Sequence, residues 1–314
     1  MPAISAAAPG KVILVGEHAV VYGRPAIAVP VSQLRARAIL TAAPRRKPGS
    51  LRLQAPAIGL EADWRELPPE HPLVKAIVLT LQATGISHLP ACDLRVTSTI
   101  PVASGMGSGA AVTVAVIRGL SNFLGRPLGN ETISALAFEV ERIHHGTPSG
   151  IDNTVVTYEK PIYFKHGEPI VTLQVPEPFH LVIGNTGVSS PTAIAVGDVR
   201  QAWLSDKASL ESIFDEIGHI ARQARQLIES GQTALLGPLL DRDHAFLRQL
   251  AVSSPELDRL VEAALEAGAL GAKMSGGGRG GNMIALVKLQ DATAVAEALG
   301  KAGAVQTIQT KISQ

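Results

Sequence analysis

The sequence is poor in cysteine and in long apolar runs, and each shortage excludes a class of protein. Its 314 residues include a single cysteine, so neither an internal disulfide nor a cysteine-based metal site can form. Arginine, lysine, proline or glycine interrupts every apolar run, so we expect no transmembrane helix. Lys11 interrupts the apolar start, so we expect no secretory signal. These absences favour a cytoplasmic protein.

The sequence also lacks an excess of either charge. Lysine and arginine number 28, aspartate and glutamate number 27, and the net charge is +1. This balance argues against a nucleic-acid-binding or membrane-surface protein, because both need a basic face. The apolar fraction of 46% excludes a disordered chain, and the length suffices for about two domains. We expect the boundary in the proline-containing stretch near residue 178, which gives domains 1–178 and 179–314.

Apolar periodicity and turn residues predict a mixed α+β chain. In the first half they indicate strands at Pro25–Val31 and Leu34–Thr41, and a helix that ends at Gly85. The basic stretch Pro44–Gly49 is typical of a solvated turn between antiparallel strands. After His180 the predicted order is strand, helices, two strands, helix and strand, which is the ferredoxin-like order. Three of the predicted helices cover roughly 207–229, 232–250 and 255–267.

Glycines accumulate between a predicted strand that ends at Pro101 and the helix that follows it. Backbone N–H groups of such a turn converge on an anion, and the helix N-terminus adds a partial positive charge. The pattern is neither a Walker A loop nor a clean dinucleotide fingerprint. Tight packing of the helix on a sheet is the alternative. The candidate phosphate-binding residues are Pro101, Val102, Ala103, Ser104, Gly105, Met106, Gly107, Ser108, Gly109, Ala110 and Ala111.

Two carboxylates follow this glycine-rich turn. Glu141 lies at the flank of the apolar face of the next predicted helix, and Asp152 follows a Pro-Ser-Gly turn. A half-buried carboxylate needs a cation, and Mg²⁺ takes oxygen ligands. The alternatives are an ion pair for Glu141 and a turn-capping role for Asp152. The adjacent His144 and His145 do not predict a metal site, because neighbouring helical residues point in different directions.

The two ends of the chain carry further motifs. Near the start, Lys11 precedes an apolar strand, and Glu17 and His18 follow it at a strand end, where ligands tend to bind. A solvated lysine and a simple turn are the alternative interpretation. Near the end, five glycines surround Arg279 in residues 276–281. Because such a loop is costly in conformational entropy, its glycines indicate close approach of the backbone to a ligand.

Taken in this order, the motifs resemble those of the GHMP kinases, small-molecule kinases named for galactose, homoserine, mevalonate and phosphomevalonate. They extend from residue 9 to residue 286 of the chain. The resemblance implies an α+β fold of two domains. The N-terminal domain would resemble the second domain of ribosomal protein S5, and the C-terminal domain would be ferredoxin-like. It also implies an ATP-dependent kinase that uses Mg²⁺.

The resemblance implies that residues 101–111 hold the phosphates of ATP, supported by Gly277 and Gly278. It further implies that Glu141 and Ser108 are ligands of Mg²⁺. The family usually carries a second serine where this chain has Gly109, so we expect Ser108 or a water molecule to fill that coordination position.

The resemblance also implies the catalytic and substrate-binding residues. Asp152 would accept a proton from the substrate, with Lys11 beside it. Glu17 and His18 would line the substrate pocket, and Thr192 would lie nearby. The family commonly has glycine at position 279 of this chain; here we favour an ion pair between Arg279 and an acid at the rim over a phosphate contact.

The acceptor is implied by the first motif and by a middle segment. Residues 16–23 and 185–188 are most similar to the branch of the family that phosphorylates mevalonate. This similarity implies transfer of the γ-phosphate of ATP to the C5 hydroxyl of (R)-mevalonate. A sibling kinase acting on phosphomevalonate, and a non-catalytic ligand-binding protein of the same fold, stay open. The family analogy also implies a homodimer.

Overall fold

The computed structural model describes residues 3–101, 104–145, 149–189 and 192–313, and in these ranges helices and strands alternate. The strands are β1 (Ile4–Val15), β2 (Ala26–Ala42), β3 (Leu51–Ala55), β4 (Leu60–Asp63), β5 (Cys92–Ser98), β6 (Ile162–Phe164), β7 (Val171–Thr172), β8 (Phe179–Asn185), β9 (Gly271–Ser275), β10 (Asn282–Val287) and β11 (Gln306–Ile312). The α-helices are α1 (Pro72–Thr84), α2 (Ser108–Phe123), α3 (Asn130–His145), α4 (Ile151–Tyr158), α5 (Thr192–Ser205), α6 (Lys207–Glu229), α7 (Gly237–Gln249), α8 (Pro255–Glu266) and α9 (Ala292–Lys301). The predicted α+β class is confirmed.

The first sheet contains β1 to β7. Its order is β4-β3-β5-β2-β6-β7, and β1 also pairs with β2. β3 is parallel to β5, whereas β2 is antiparallel to it. The predicted turn at Pro44–Gly49 therefore joins strands of opposite direction, but these strands do not pair with each other because β5 lies between them.

The chain divides into two compact units. The first unit comprises Met1–Gly10, Leu34–Pro101 and Gly107–Glu159, and the second comprises Lys11–Gln33, Val102–Met106 and Lys160–Gln314. The long strands β1 and β2 contribute residues to both.

In the first unit, α1 to α4 form a layer of helices in which α2 packs against the other three. Leu40, Leu94, Ile117 and Leu120 are fully buried in this unit. α1 ends at Gly85, which adopts the left-handed conformation that the sequence predicts for a helix stop. This layer places α2 in contact with both α3 and α4.

The second unit contains an antiparallel sheet with the order β11-β8-β10-β9, which confirms the predicted ferredoxin-like arrangement. Its core includes Phe214, Leu247, Leu260 and Met283. α8 begins where the sequence predicts, because the Ser254 hydroxyl accepts from the backbone N–H of Leu257 at 3.4 Å. In the described part of the chain, no helix combines the length and apolarity needed to cross a membrane.

Candidate active site

The first glycine-rich segment has the backbone conformation of an anion-binding turn. Gly105 and Gly107 have left-handed φ angles of 76° and 70°. Ser104 and Met106 are buried, while Gly105 between them is exposed. α2 then begins at Ser108 with no acidic residue in its first turn, so its N-terminal N–H groups face no carboxylate from that turn. This geometry suits a phosphate. The predicted contacts of Val102 and Ala103 lie outside the described residues.

Three helix ends of the first unit carry the predicted metal and base residues. Ser108 opens α2, Glu141 lies in the last turns of α3, and Asp152 lies in the first turn of α4. Asn153, next to Asp152, donates from Nδ2 to the Ser134 carbonyl oxygen at 3.0 Å and to the Ser134 hydroxyl at 2.9 Å. These bonds tie the first turn of α4 to α3. The position of Asp152 on the helix is therefore fixed by its buried neighbour.

The far end of α4 is tied to α2 by Arg118. Its guanidinium donates to the carbonyl oxygen of Thr157 at 2.8 Å and to Glu159 Oε1 at 3.0 Å. With Asn153 at one end and Arg118 at the other, α4 is held at both termini. Such support on rigid elements is what a catalytic carboxylate requires.

The half-buried Glu141 and Ser108 provide one carboxylate and one hydroxyl, which fits the way proteins hold Mg²⁺. Mg²⁺ usually keeps several waters and binds through one or two carboxylates and the phosphates of its substrate. Across the described residues there is no cluster of three or more His, Cys, Asp or Glu side chains suited to a metal ion. The donor set therefore suits an ion that arrives with a nucleotide better than an all-protein metal cage.

In the second unit, the first motif contains a buried ion pair that sequence reasoning missed. Lys273 on β9 is fully buried and pairs with Glu17 Oε1, and Glu17 is 1% exposed. The same ammonium lies 3.4 Å from Oδ2 of Asp243 on α7, which is also fully buried. Three charged groups from distant parts of the sequence thus share one buried cluster, and the charge of Glu17 is balanced inside the protein.

Asp243 is the unusual member of this cluster. Among the described residues, neither of its carboxyl oxygens has a hydrogen-bond partner. Burial raises the pKa of Asp243 to about 8, against the opposing charge of Lys273 and with the help of the Glu17 carboxylate. A protonated Asp243 leaves Lys273 and Glu17 as a neutral pair, so the cluster avoids a net buried charge.

His18 connects the first motif to the last glycine-rich loop. Its Nε2 lies 3.1 Å from the carbonyl oxygen of Gly277, so this nitrogen carries the proton and donates it. Burial lowers the pKa of His18 to about 4, opposed by this hydrogen bond. His18 is therefore a neutral imidazole that carries its proton on Nε2. Thr192 lies over the same glycine, since a Cβ added to Gly277 would be 2.7 Å from Thr192 Oγ1.

The last loop corrects one expectation. We expect its glycines to allow approach of a ligand, yet a Cβ added to Gly278 would be 1.9 Å from the carbonyl oxygen of Val252. Close packing on the protein's own chain is thus the reason for glycine there. The ATP contacts of Gly277 and Gly278 stay predictions. Arg279 pairs with Asp198, as we expect for an ion pair at the rim.

The structure brings some predicted residues together within each unit. The second unit joins His18 to Gly277 and Thr192, and the backbone N–H of Lys11 donates to the Met106 carbonyl oxygen at 3.0 Å. Lys11 is 4% exposed, and its proximity to Asp152 stays a prediction. Sequence reasoning missed Lys273, Asp243 and Asn282. Asn282 directly follows the last glycine motif and Lys273 lies three residues before it, so proximity to this motif was a signal for these two residues.

Two family models match the chain. The model described as the GHMP kinases N terminal domain matches residues 72–160, and the model described as GHMP kinases C terminal matches residues 224–305. The mevalonate kinase of Pyrococcus horikoshii is 35% identical, and the match covers 99% of this chain and 96% of that protein.

Solved structures agree with these matches. L. major mevalonate kinase in complex with R-mevalonate is 29% identical, with a TM-score of 0.84 over 98% of this chain and 95% of that one. The mevalonate kinase of Methanococcus jannaschii has a TM-score of 0.86 over 100% and 99% of the two chains at 24% identity, which shows a shared fold. The predicted family and fold are confirmed.

Proposed function

The chain belongs to the GHMP kinases, and we propose that it is the member that phosphorylates mevalonate. The reaction converts ATP and (R)-mevalonate to ADP and 5-phosphomevalonate. The observation that carries this proposal is the similarity to mevalonate kinases along nearly the whole of both chains. The presence of Lys11, Glu141 and Asp152 supports a catalytic protein over a non-catalytic ligand-binding one.

The family implies ATP as a substrate, and residues 101–111 and the N-terminus of α2 offer the amide groups to hold its phosphates. Gly277 and Gly278 would support this region from the last loop. We propose Glu141 and Ser108 as the ligands of Mg²⁺, which would neutralise charge on the transferring group. The remaining chemistry is done by side chains of the chain itself.

Phosphoryl transfer requires an aligned hydroxyl more than covalent help from the protein. Asp152 accepts the proton of the C5 hydroxyl while that oxygen bonds to the γ-phosphorus. The bond from the γ-phosphorus to the bridging oxygen of the β-phosphate breaks, and ADP leaves. Lys11 supplies a positive charge beside Asp152, and Glu17, His18 and Thr192 line the pocket for mevalonate.

The acceptor is tested by measuring ADP release with mevalonate, phosphomevalonate, galactose and homoserine in parallel. We expect turnover with mevalonate to exceed that with the other three by at least about a hundredfold, since the missing or extra groups leave buried polar partners unpaired. Preference for phosphomevalonate would identify the sibling kinase. ATP binding without turnover of any acceptor would identify a non-catalytic member.

Asp152→Asn tests the base. The amide keeps the shape of the carboxylate and cannot accept the proton, so kcat should fall by about 10²–10⁴-fold. Ser134→Ala is a matched control, because it weakens the same helix contact without touching Asp152. A kcat of Asp152→Asn within about tenfold of the parent contradicts the base role.

Three further properties belong to the proposal. We propose domains 1–178 and 179–314, and the two family models fall on either side of this division.

We propose a homodimer on family analogy, which light scattering on the protein during size-exclusion chromatography tests directly. We propose a cytoplasmic location, in line with the single, buried cysteine.

A further inference from the structure

Three hydrogen bonds run in series from the end of β8 to the first glycine-rich turn. The backbone N–H of Gly187 donates to Oδ1 of Asn185 at 2.7 Å. Asn185 Nδ2 donates to Oδ1 of Asn282 at 2.8 Å, and Asn282 Nδ2 donates to the carbonyl oxygen of Ser104 at 2.5 Å. Asn282 is 1% exposed and Ser104 is 6% exposed. The series lies within the second unit.

The backbone sets the direction of this series at both ends. The N–H of Gly187 can only donate, so Asn185 must present its oxygen there and its amide group to Asn282. The carbonyl of Ser104 can only accept, so Asn282 must present its amide group there. Each asparagine therefore has one workable orientation, and an aspartate at either position would lose the donor that the next group requires.

The last bond determines how the peptide between Ser104 and Gly105 is oriented. In a planar trans peptide the carbonyl and the following N–H point in opposite directions. Because Asn282 holds the Ser104 carbonyl on the protein side, the N–H of Gly105 points away from Asn282. Gly105 is exposed, has a φ of 76°, and a Cβ added to it would meet nothing within 4 Å. A ligand can approach this N–H closely.

We propose that Asn282, held in place by Asn185, is a positioning residue that aims the N–H of Gly105 at the phosphates of ATP. This inference rests on the proposed function, because it takes the first glycine-rich turn as the phosphate-binding element. The bond from the Lys11 N–H to the Met106 carbonyl fixes a second peptide of the same turn. The turn is therefore prepared before nucleotide arrives, which limits the ordering cost of binding.

The presence of asparagine at position 282 supports a positioning role rather than a role in core packing. Asparagine is depleted in strands, yet Asn282 opens β10 in a fully buried position. A residue selected for packing alone would be apolar at this place. The buried amide is retained where both of its polar atoms have partners, one of which belongs to the phosphate-binding turn.

Asn282→Leu tests the proposal, since leucine has a similar size and no donor. Affinity for ADP, measured by calorimetry without any acceptor, should fall by about tenfold or more, which corresponds to one lost hydrogen bond to a charged site. KM for mevalonate should stay within about threefold of the parent. Asn185→Leu leaves Asn282 in place but removes its support, so it should weaken ADP binding in the same direction by a smaller factor.

Ser254→Ala is the stability control, because it removes an N-cap hydrogen bond of the same unit and leaves the three hydrogen bonds of the series unchanged. Equal losses for ADP and mevalonate, or ADP affinity unchanged in Asn282→Leu, overturn the positioning role. Should Asn282→Leu fail to fold, the ADP affinity of Asn185→Leu decides. ADP binding needs no acceptor, so the result stands even if the wild-type protein fails to phosphorylate mevalonate.

Discussion

The two glycine-rich loops of this protein look alike in sequence and differ in what surrounds them. At Gly105 in the first loop, an added Cβ would meet nothing within 4 Å, and the same holds at Gly109. In the last loop, an added Cβ would be 1.9 Å from the Val252 carbonyl oxygen at Gly278 and 2.8 Å from the Val188 carbonyl oxygen at Gly280. Glycine leaves open space at Gly105 and Gly109, whereas at Gly278 and Gly280 it makes room for the protein's own backbone.

The contacts that hold the two loops in place also differ. β9, which leads into the last loop, carries Lys273 in a buried cluster with Glu17 and Asp243. Among the described residues, the first loop is held by hydrogen bonds to the carbonyl oxygens of Ser104 and Met106. We infer that substitutions of Gly278 and Lys273 act mainly on folding, whereas substitutions in the first loop act mainly on ligand binding.

Gly278→Ala should have the largest effect. The new methyl group overlaps a backbone carbonyl, and alanine is strained at a φ of 82°. We expect a loss of more than about 4 kcal/mol in the free energy of unfolding, measured with denaturant. Gly276→Ala is the matched control, because its added Cβ meets nothing within 4 Å and only its φ of 96° is strained. Equal stability of the two variants would show that Gly278 is as open as Gly276.

Lys273→Met should have the next largest effect. Methionine fills the space of the lysine stem and leaves Glu17 buried without its cation, which costs about 3–5 kcal/mol. Adding Glu17→Gln should restore much of the stability, because the uncompensated charge is then gone. Denaturant unfolding of both variants measures this. A single variant within about 1 kcal/mol of the parent, or a double variant less stable than the single, contradicts the buried pair.

Much of the fold is predictable because local patterns agree with the tertiary structure. The helix predicted at 207–229 is α6, and the strand order of the second unit follows from counting elements. β2, by contrast, is one strand where the sequence predicts two, because the polar residues Ser32 and Gln33 separate the two apolar runs. Pro30 lies between the residues of β2 that pair with β6 and those that pair with β5. A proline that donates no ladder bond is tolerated there.

The site is predictable only where its residues lie in short motifs. The glycine turns, Lys11 and His18 can be recognised because each lies in a short motif of consecutive residues that serve the same function. The cluster around Lys273 joins three segments that are far apart in the chain, so no local period marks it. Asp243 lies on α7, where an acidic residue of an amphipathic helix is normally taken as solvated, and its burial depends on packing against β9.

Asp243→Asn should change how stability depends on pH. The folded protein holds a proton on Asp243 up to its pKa of about 8, whereas an unfolded aspartate loses it near 3.8. Between these values the folded state binds one more proton, so this group's contribution to stability falls as pH rises. Asparagine does not titrate.

The stability of Asp243→Asn relative to the parent should therefore rise between pH 4.5 and pH 8, measured as the difference in Tm. Repeating the comparison in a Glu17→Gln background removes one charge that raises the pKa of Asp243, so the rise should become smaller. Parallel Tm profiles of Asp243→Asn and the parent would mean that Asp243 is ionised inside the protein. The buried cluster of Lys273, Glu17 and Asp243 would then carry a net negative charge.

Gly109→Ser should have the smallest effect, because this position follows the first loop and has open space around it. Gly109 is the second residue of α2, is exposed, and has space for a side chain. Serine should raise stability by about 0.5 kcal/mol through helix propensity. If Ser108 or water already fills the Mg²⁺ position, the Mg²⁺ concentration for half-maximal activity should stay within about threefold. Gly109→Ala is the control, since it adds the same Cβ without a hydroxyl. A Mg²⁺ requirement that falls tenfold in Gly109→Ser and not in Gly109→Ala would show that glycine here weakens the metal site.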